Sequence, residues 1–545
     1  MRKIRVLHHV RLLLASCVIA LLAASACIDQ QGGSNPGGTR GLRAPGLVTY
    51  DPAIPSDWFE IALPTGSEHN HRDASHHENL STLNFNIVGY NPLITDYYGR
   101  TAGDYFCGDQ RELDGRRLSV VHSWGSDVAF VLADVTDPTK PEKIGELAMA
   151  NTQVYDVSLT PDLNFVVMST SPFDSGPDAP EGVPPRESPT APWGMWTDAC
   201  GNERPLQGPE SGLPFSSGIV LVDISNPRNP LVVDFRQLPV IGSHSVRVND
   251  VKGETIITAS VDNAAAPASY YMFLEITPTP AGPKLVPIST YHHIPENQAN
   301  ATSVGIHMDG GLYLHPITEQ RLAFLAFRGL GMIIVDMDDP ANPQFLAQFR
   351  PFPIGAHSIV VLPETWDGRH YTILGEECGG PSRGNPSCLV MIVDTTDPAN
   401  PTYVSAWTLP SPVDWREGLE FSMHYFDIYN RTLFISTYHG GLWAVDLSTP
   451  EAVRTMPTIG VFVPSIQSPK PFGTPPRSLA SNALLDTVAG APLADHPVVM
   501  DLAVSSDGLL TVWDAQSGLY MVRFDATNPA PPPVFEIHGI PRTAS

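Results

Sequence analysis

Residues 332–343 read MIIVDMDDPANP, and the phrase returns as FVLADVTDPTKP (130–141), IVLVDISNPRNP (219–230), VMIVDTTDPANP (390–401), LWAVDLSTP (442–450) and LYMVRFDATNP (519–529). Each copy is an apolar run that ends at an aspartate (Asp336, Asp134, Asp223, Asp394, Asp446 or Asp525) with a proline a few residues on. A unit this short cannot bury its own apolar face, so the repetition predicts units stacked on their neighbours. The aspartate reads as a turn cap bonding a backbone N–H two residues on, and the proline as the stop of the strand. A calcium loop fits poorly, because each box offers few oxygens and lacks the glycine of an EF-hand.

Around each box runs the same plan of four short strands divided by turn signals. That spacing predicts an all-β chain folded as a seven-bladed β-propeller of four-stranded antiparallel blades. The propeller is expected over residues 80–545, with insertions near 92–116, 171–217 and 464–497. LNFNIVGYN (83–91) is expected as the first strand of the first blade. WFEIAL (58–63) and VFEI (534–537) are both available as an outer strand for the last blade, so the manner of closure stays open.

Composition agrees with many strands and punctuated turns: 42% hydrophobic, 16% charged, 54 prolines and 44 glycines in 545 residues. The net charge is −25, and −29 without Arg2, Lys3, Arg5 and Arg11 of the leader. Such a surface repels phosphate backbones, which argues against nucleic acid as a partner.

Residues 1–26 read as an export signal: a basic start, then an apolar stretch too short to span a membrane, then small residues. Ala24-Ser25-Ala26 suits ordinary signal peptidase, and the same residues before Cys27 resemble a bacterial lipobox, with Ala24 where leucine is usual. Lipidation of Cys27 leaves an even number of cysteines: Cys107, Cys200, Cys378 and Cys388. The expectation is a lipoprotein of the bacterial cell envelope held by an N-terminal lipid, with a periplasmic or secreted protein as the alternative. Residues 27–47 would be a flexible tether and 48–79 an N-terminal extension. In an oxidising compartment Cys378 and Cys388 are expected to pair across GGPSRGNPS, and Cys107 with Cys200 by elimination.

VLVDISNP, IIVDMDDP and MIVDTTDP resemble the LVIVD repeat of bacterial β-propeller proteins. The resemblance implies a ring of blades around a central channel and implies no activity. RTLFISTYHGGLWAVDLSTP (431–450) is similar to a strand-pair segment of the selenium-binding-protein and methanethiol-oxidase propellers, whose activity involves copper. That likeness covers one blade, lacks the paired-cysteine motif, and implies His439 as the matching histidine.

Aligning the blades on their first turn places His244, His357 and His424 at one position, with Tyr155, Tyr313 and Met500 there in other blades. First strands line a propeller channel, so these residues are expected around one mouth. The ends of the second strands return to that mouth with His122, Asp262, Arg328, Glu377, His439 and Asp514 as candidate ligand-binding residues. Three imidazoles suit copper or zinc, while in a wet channel they would serve equally by bonding water and carbonyls. The cluster His69, His71, His76 and His77 is a further metal-binding candidate or an ordinary polar loop. Ser245 and Ser358 follow the aligned histidines, and strand alternation would point each pair to opposite faces.

Phosphate loops, G-x-S-x-G and H-E-x-x-H are absent. The reading is a non-catalytic, envelope-anchored propeller that binds a protein, glycan or small molecule. The alternative is a metal-dependent copper oxidase of a small thiol or similar substrate.

Overall fold

The computed structural model describes residues 82–526, apart from 97–99, 102–104, 124–126, 151, 173–194, 198–201, 206–216, 239–241, 263–268, 294–308, 328–329, 351–355, 378–388, 409–421, 439, 465–497 and 516. The chain is all-β, and seven antiparallel blades follow one another along it. Their first strands are Tyr105–Leu113, Thr152–Leu159, Gly242–Val251, Gly310–Leu314, Ala356–Val361, Phe426–Tyr429 and Val499–Val504, for blades 1 to 7. Each of these touches the first strand of the blades on either side, and the seventh touches the first, so the circle closes around a channel. Among the described residues no helix is long and apolar enough to cross a membrane.

The closure differs from expectation. LNFNIVGYN does not open blade 1; Phe85–Asn91 pairs antiparallel with Gly518–Phe524 and forms the outer strand of blade 7. Its burial explains the place. Only Phe85 is deeply buried in that strand, and its ring meets Phe434, Phe462 and Phe524, the last at 5.0 Å. Tyr105–Leu113 begins instead with four buried residues, as an innermost strand must. The stretch 92–116, expected as an insertion, therefore contains the channel strand of blade 1. The insertion after residue 171 contributes Met195–Thr197 and Glu203–Pro205, which extend the outer edge of blade 1.

The aspartate boxes are turn caps. Asp134, Asp223, Asp336, Asp394 and Asp446 each accept the N–H two residues on, at 2.8–2.9 Å. The boxes also set blade spacing by resting on the outer strand of the preceding blade. A Cβ on Gly145 of blade 1 would lie 1.7 Å from the carbonyl oxygen of Pro227 in the box of blade 2. Ser289 of blade 3 donates to the Pro340 carbonyl of blade 4 at 2.6 Å.

Candidate metal-binding site at the channel mouth

The walls of the channel are held together by a second set of aspartates, inside it. Asp156 accepts the N–H of Val157 in its own strand at 2.8 Å and that of Val246 in blade 3 at 3.0 Å. Asp501 does the same with Leu502 and with Gly108 of blade 1, and Asp427 with Ile428 and with Val504 of blade 7. Asp109 reaches Leu159 of blade 2, Asn249 reaches Leu312 of blade 4, and Asp309 reaches Ile359 of blade 5. Burial raises the carboxyl pKa of Asp156 to about 7 and of Asp427 to about 6, and pushes that of Asp501 up strongly. Arg247 opposes this from blade 3, where it donates to Asp309 at 2.7 Å and lies 5.2 Å over the Tyr425 ring.

Six seams between blades carry such a clamp. At the seam between blades 5 and 6 the described residues show a different arrangement. His357, Glu377 and His424 bring one ligand atom each within 4.8 Å of the others. His357 Nε2 stands 3.5 Å from Glu377 Oε2, and the two imidazole centroids are 4.7 Å apart. Ser358 Oγ donates to the His424 carbonyl at 2.5 Å, so it receives the proton of His357 Nδ1 at 2.6 Å. His424 Nδ1 donates to the Met500 carbonyl at 2.7 Å. Both rings are thereby held in the tautomer whose lone pair is on Nε2, the form a metal-binding histidine needs. Burial lowers the pKa of His424, which keeps it neutral. Tyr438, itself in the left-handed region at φ 51°, donates to Glu377 Oε1 and orients the carboxylate. Phe106, Cys107, Tyr425, Tyr438, Val498, Met500 and Ala515 pack as an apolar cluster beside the group.

A β-bulge makes this geometry. The register slips between Ala356 and Ser358, and at the same level in blades 1, 3 and 7. A bulge re-aims side chains. His357 and Ser358 therefore meet, where plain alternation would part them. Phe106 holds in blade 1 the place of His357, two residues before the N–H taken by a clamp.

Of the three expected metal histidines, His357 and His424 come together and His244 does not. Blade 3 is two seams away from blade 5, and there His244 stacks on Tyr155 at 4.6 Å. Glu377, expected as a ligand-binding residue, takes the third place in the group. His122 is fully buried in blade 1 against Phe106, and burial lowers its pKa to about 3. Asp514 is also buried and accepts the N–H groups of Val498 and Ser517 and the Ser517 hydroxyl proton, a structural duty. Asp262 pairs through its backbone with Gly242. Arg328, His439, Cys27, Cys200, Cys378, Cys388 and the cluster from His69 to His77 lie outside the described residues. Cys107 is a free, buried thiol and not half of a disulfide, since the bulge turns it into the apolar cluster where burial pushes its pKa up. Strand alternation set Ser358 aside wrongly, and Tyr438, Arg247 and the channel aspartates carried no expectation from the sequence. A usable signal existed for the last, in VYD (154–156), YFD (425–427) and VMD (499–501) of the first strands.

The LVIVD repeat model matches residues 215–234, the phrase that ends blade 2's third strand, so the chain carries that repeat. No match is found among curated proteins. Among solved structures the chain is similar to the periplasmic gluconolactonase of Pseudomonas aeruginosa, at 11% identity and TM-score 0.47, covering 77% of this chain and 95% of that one. It is also similar to Saccharomyces cerevisiae Sqt1, at 10% identity and TM-score 0.41, covering 81% and 98%. These comparisons do not show the one-blade likeness to the selenium-binding-protein propellers.

Proposed function

We propose that the protein is an envelope-anchored propeller that binds one metal ion, copper or zinc, between blades 5 and 6. The metal-bearing mouth then recognises a ligand without turning it over. The observation that carries this reading is the pair of imidazoles fixed with Nε2 toward one carboxylate, His357 and His424 facing Glu377. Two neutral imidazoles and a carboxylate suit zinc or copper(II), and three protein ligands leave a position for an outside donor. The channel aspartates are bound up in blade clamps, and Ser358, the hydroxyl beside the group, is committed to the His424 carbonyl.

The test is metal analysis of the mature protein after copper or zinc supplementation. One ion per chain is expected, and a His357→Ala/His424→Ala variant that stays folded should hold none. A wild-type protein that is folded and metal-free after loading sinks the reading. Turnover of a small thiol by the copper-loaded protein, absent from the variant, would replace binding by oxidase chemistry. The anchor has its own check, because mass spectrometry of the mature N-terminus should find a lipid-modified Cys27 and a free one would make the protein soluble after export.

A further inference from the structure

Beside the metal group lies a buried imidazole with nothing to bond. His122 is 0% exposed, and neither Nδ1 nor Nε2 makes a hydrogen bond. The carbonyl groups of Tyr155 and Ser123 stand near enough to favour its protonation, but not in hydrogen-bond geometry. Other buried imidazoles are satisfied: His315 bonds the Thr395 carbonyl, His370 that of Leu362 and His424 that of Met500, at 2.7–2.8 Å. A buried ring with both nitrogens idle is an exception that calls for an absent partner. Its place suggests which. The Phe106 ring lies 5.9 Å from that of His122 and 5.2 Å from that of His424. His122 is therefore one aromatic ring removed from the metal group.

Resting on the metal-binding reading, we propose that His122 is the far anchor of the ligand the metal holds. That ligand is a small, flat, uncharged molecule with a metal-binding heteroatom at one end and a hydrogen-bonding group at the other. A neutral imidazole supplies one donor and one acceptor, which meets a neutral polar group. Phe106, Tyr425 and Tyr438 are the aromatic neighbours of His424, and they favour a flat body. Charge is disfavoured on either side. The Arg247 guanidinium, which an anion would need, is committed to Asp309. The apolar cluster around Phe106 gives a cation no counterion of its own.

The probe is imidazole against 1-methylimidazole, titrated into the copper(II)-loaded full chain and followed by visible absorption. Both bind copper through one nitrogen, but only imidazole keeps an N–H at its far side. Wild type should prefer imidazole about tenfold, the value of one buried hydrogen bond. His122→Leu should lose the preference with copper content unchanged, and His122→Gln should retain part of it, with thermal melts confirming that both fold. A wild type without preference, or a His122→Leu variant that keeps it, overturns the proposal. Loss of copper from that variant also overturns it, since His122 would then be a metal ligand. A wild type that takes up no copper overturns this proposal and the metal-binding reading together, whereas the other outcomes leave the latter standing.

Discussion

The seam between blades 5 and 6 and the seam between blades 7 and 1 solve one problem in opposite ways. At the second, Asp501 accepts N–H groups from both blades. At the first, the carboxylate is Glu377, aimed at an imidazole, and hydroxyls make the hydrogen bonds across the seam, Ser358 to the His424 carbonyl and Tyr438 to Glu377. A buried carboxylate taking two N–H bonds is a strong staple; a neutral hydroxyl bond is worth about 1 kcal/mol. Among the described residues, the seam that holds the candidate metal group lacks the aspartate or asparagine staple of the other six. Local departure from a repeated stabilising device is a mark of a working site.

The contrast can be broken by substitution. Asp501→Ala orphans two buried N–H groups and should cost about 3 kcal/mol, read as a lower denaturant midpoint. Asp501→Asn, which can still accept, should cost clearly less. Ser358→Ala at the other seam should cost only about 1 kcal/mol, yet weaken metal binding at least tenfold by freeing the His357 ring. Equal destabilisation by Asp501→Ala and Ser358→Ala would erase the distinction between the seams. Glu377→Gln should change stability by less than about 1 kcal/mol, since the amide oxygen still accepts from Tyr438, while metal affinity falls by a similar tenfold or more.

The channel staples also carry a pH dependence. Asp156 titrates at about 7 in the folded chain against an ordinary 3.8, so the folded state holds a proton there that the unfolded state releases. Stability from this group therefore falls as pH rises from about 4 to about 7. His122 and His370, lowered by burial to about 3 and about 4, act the opposite way below their ordinary 6.5. Asp156→Asn removes only the first contribution. Its deficit relative to wild type should be greatest at about pH 4 and below and smallest above pH 7, and a deficit that grows toward neutral pH would refute the assignment.

The repeated box was enough to read seven blades, because turn chemistry and strand alternation are local. Closure was not legible: FNIVGYN alternates like any half-buried strand, and nothing in it names a partner at the other end of the chain. His357 and His424 could be found by alignment, since one sits on the first strand of blade 5 and the other just ahead of the first strand of blade 6. His244 satisfied the same alignment and failed, because equal position along a blade says nothing of which seam it faces. Ser358 and Tyr438 escaped for another reason. A bulge and a left-handed residue override alternation, and neither leaves a fixed letter in the sequence.

The clasp formed by Phe85–Asn91 sets synthesis and assembly in opposite order. This strand near the start of the described chain is the last to find its ladder, because Gly518–Phe524 must exist before it can dock. Contacts that join distant parts of a chain form late and slowly. Until then the inner edges of blades 1 and 7 lack their shared Asp501 staple, so folding should proceed as an open arc that snaps shut in one final step. A pull on the chain ahead of Thr82 would load the short Thr82–Leu83 ladder to blade 6 first and then that clasp in shear along its whole length.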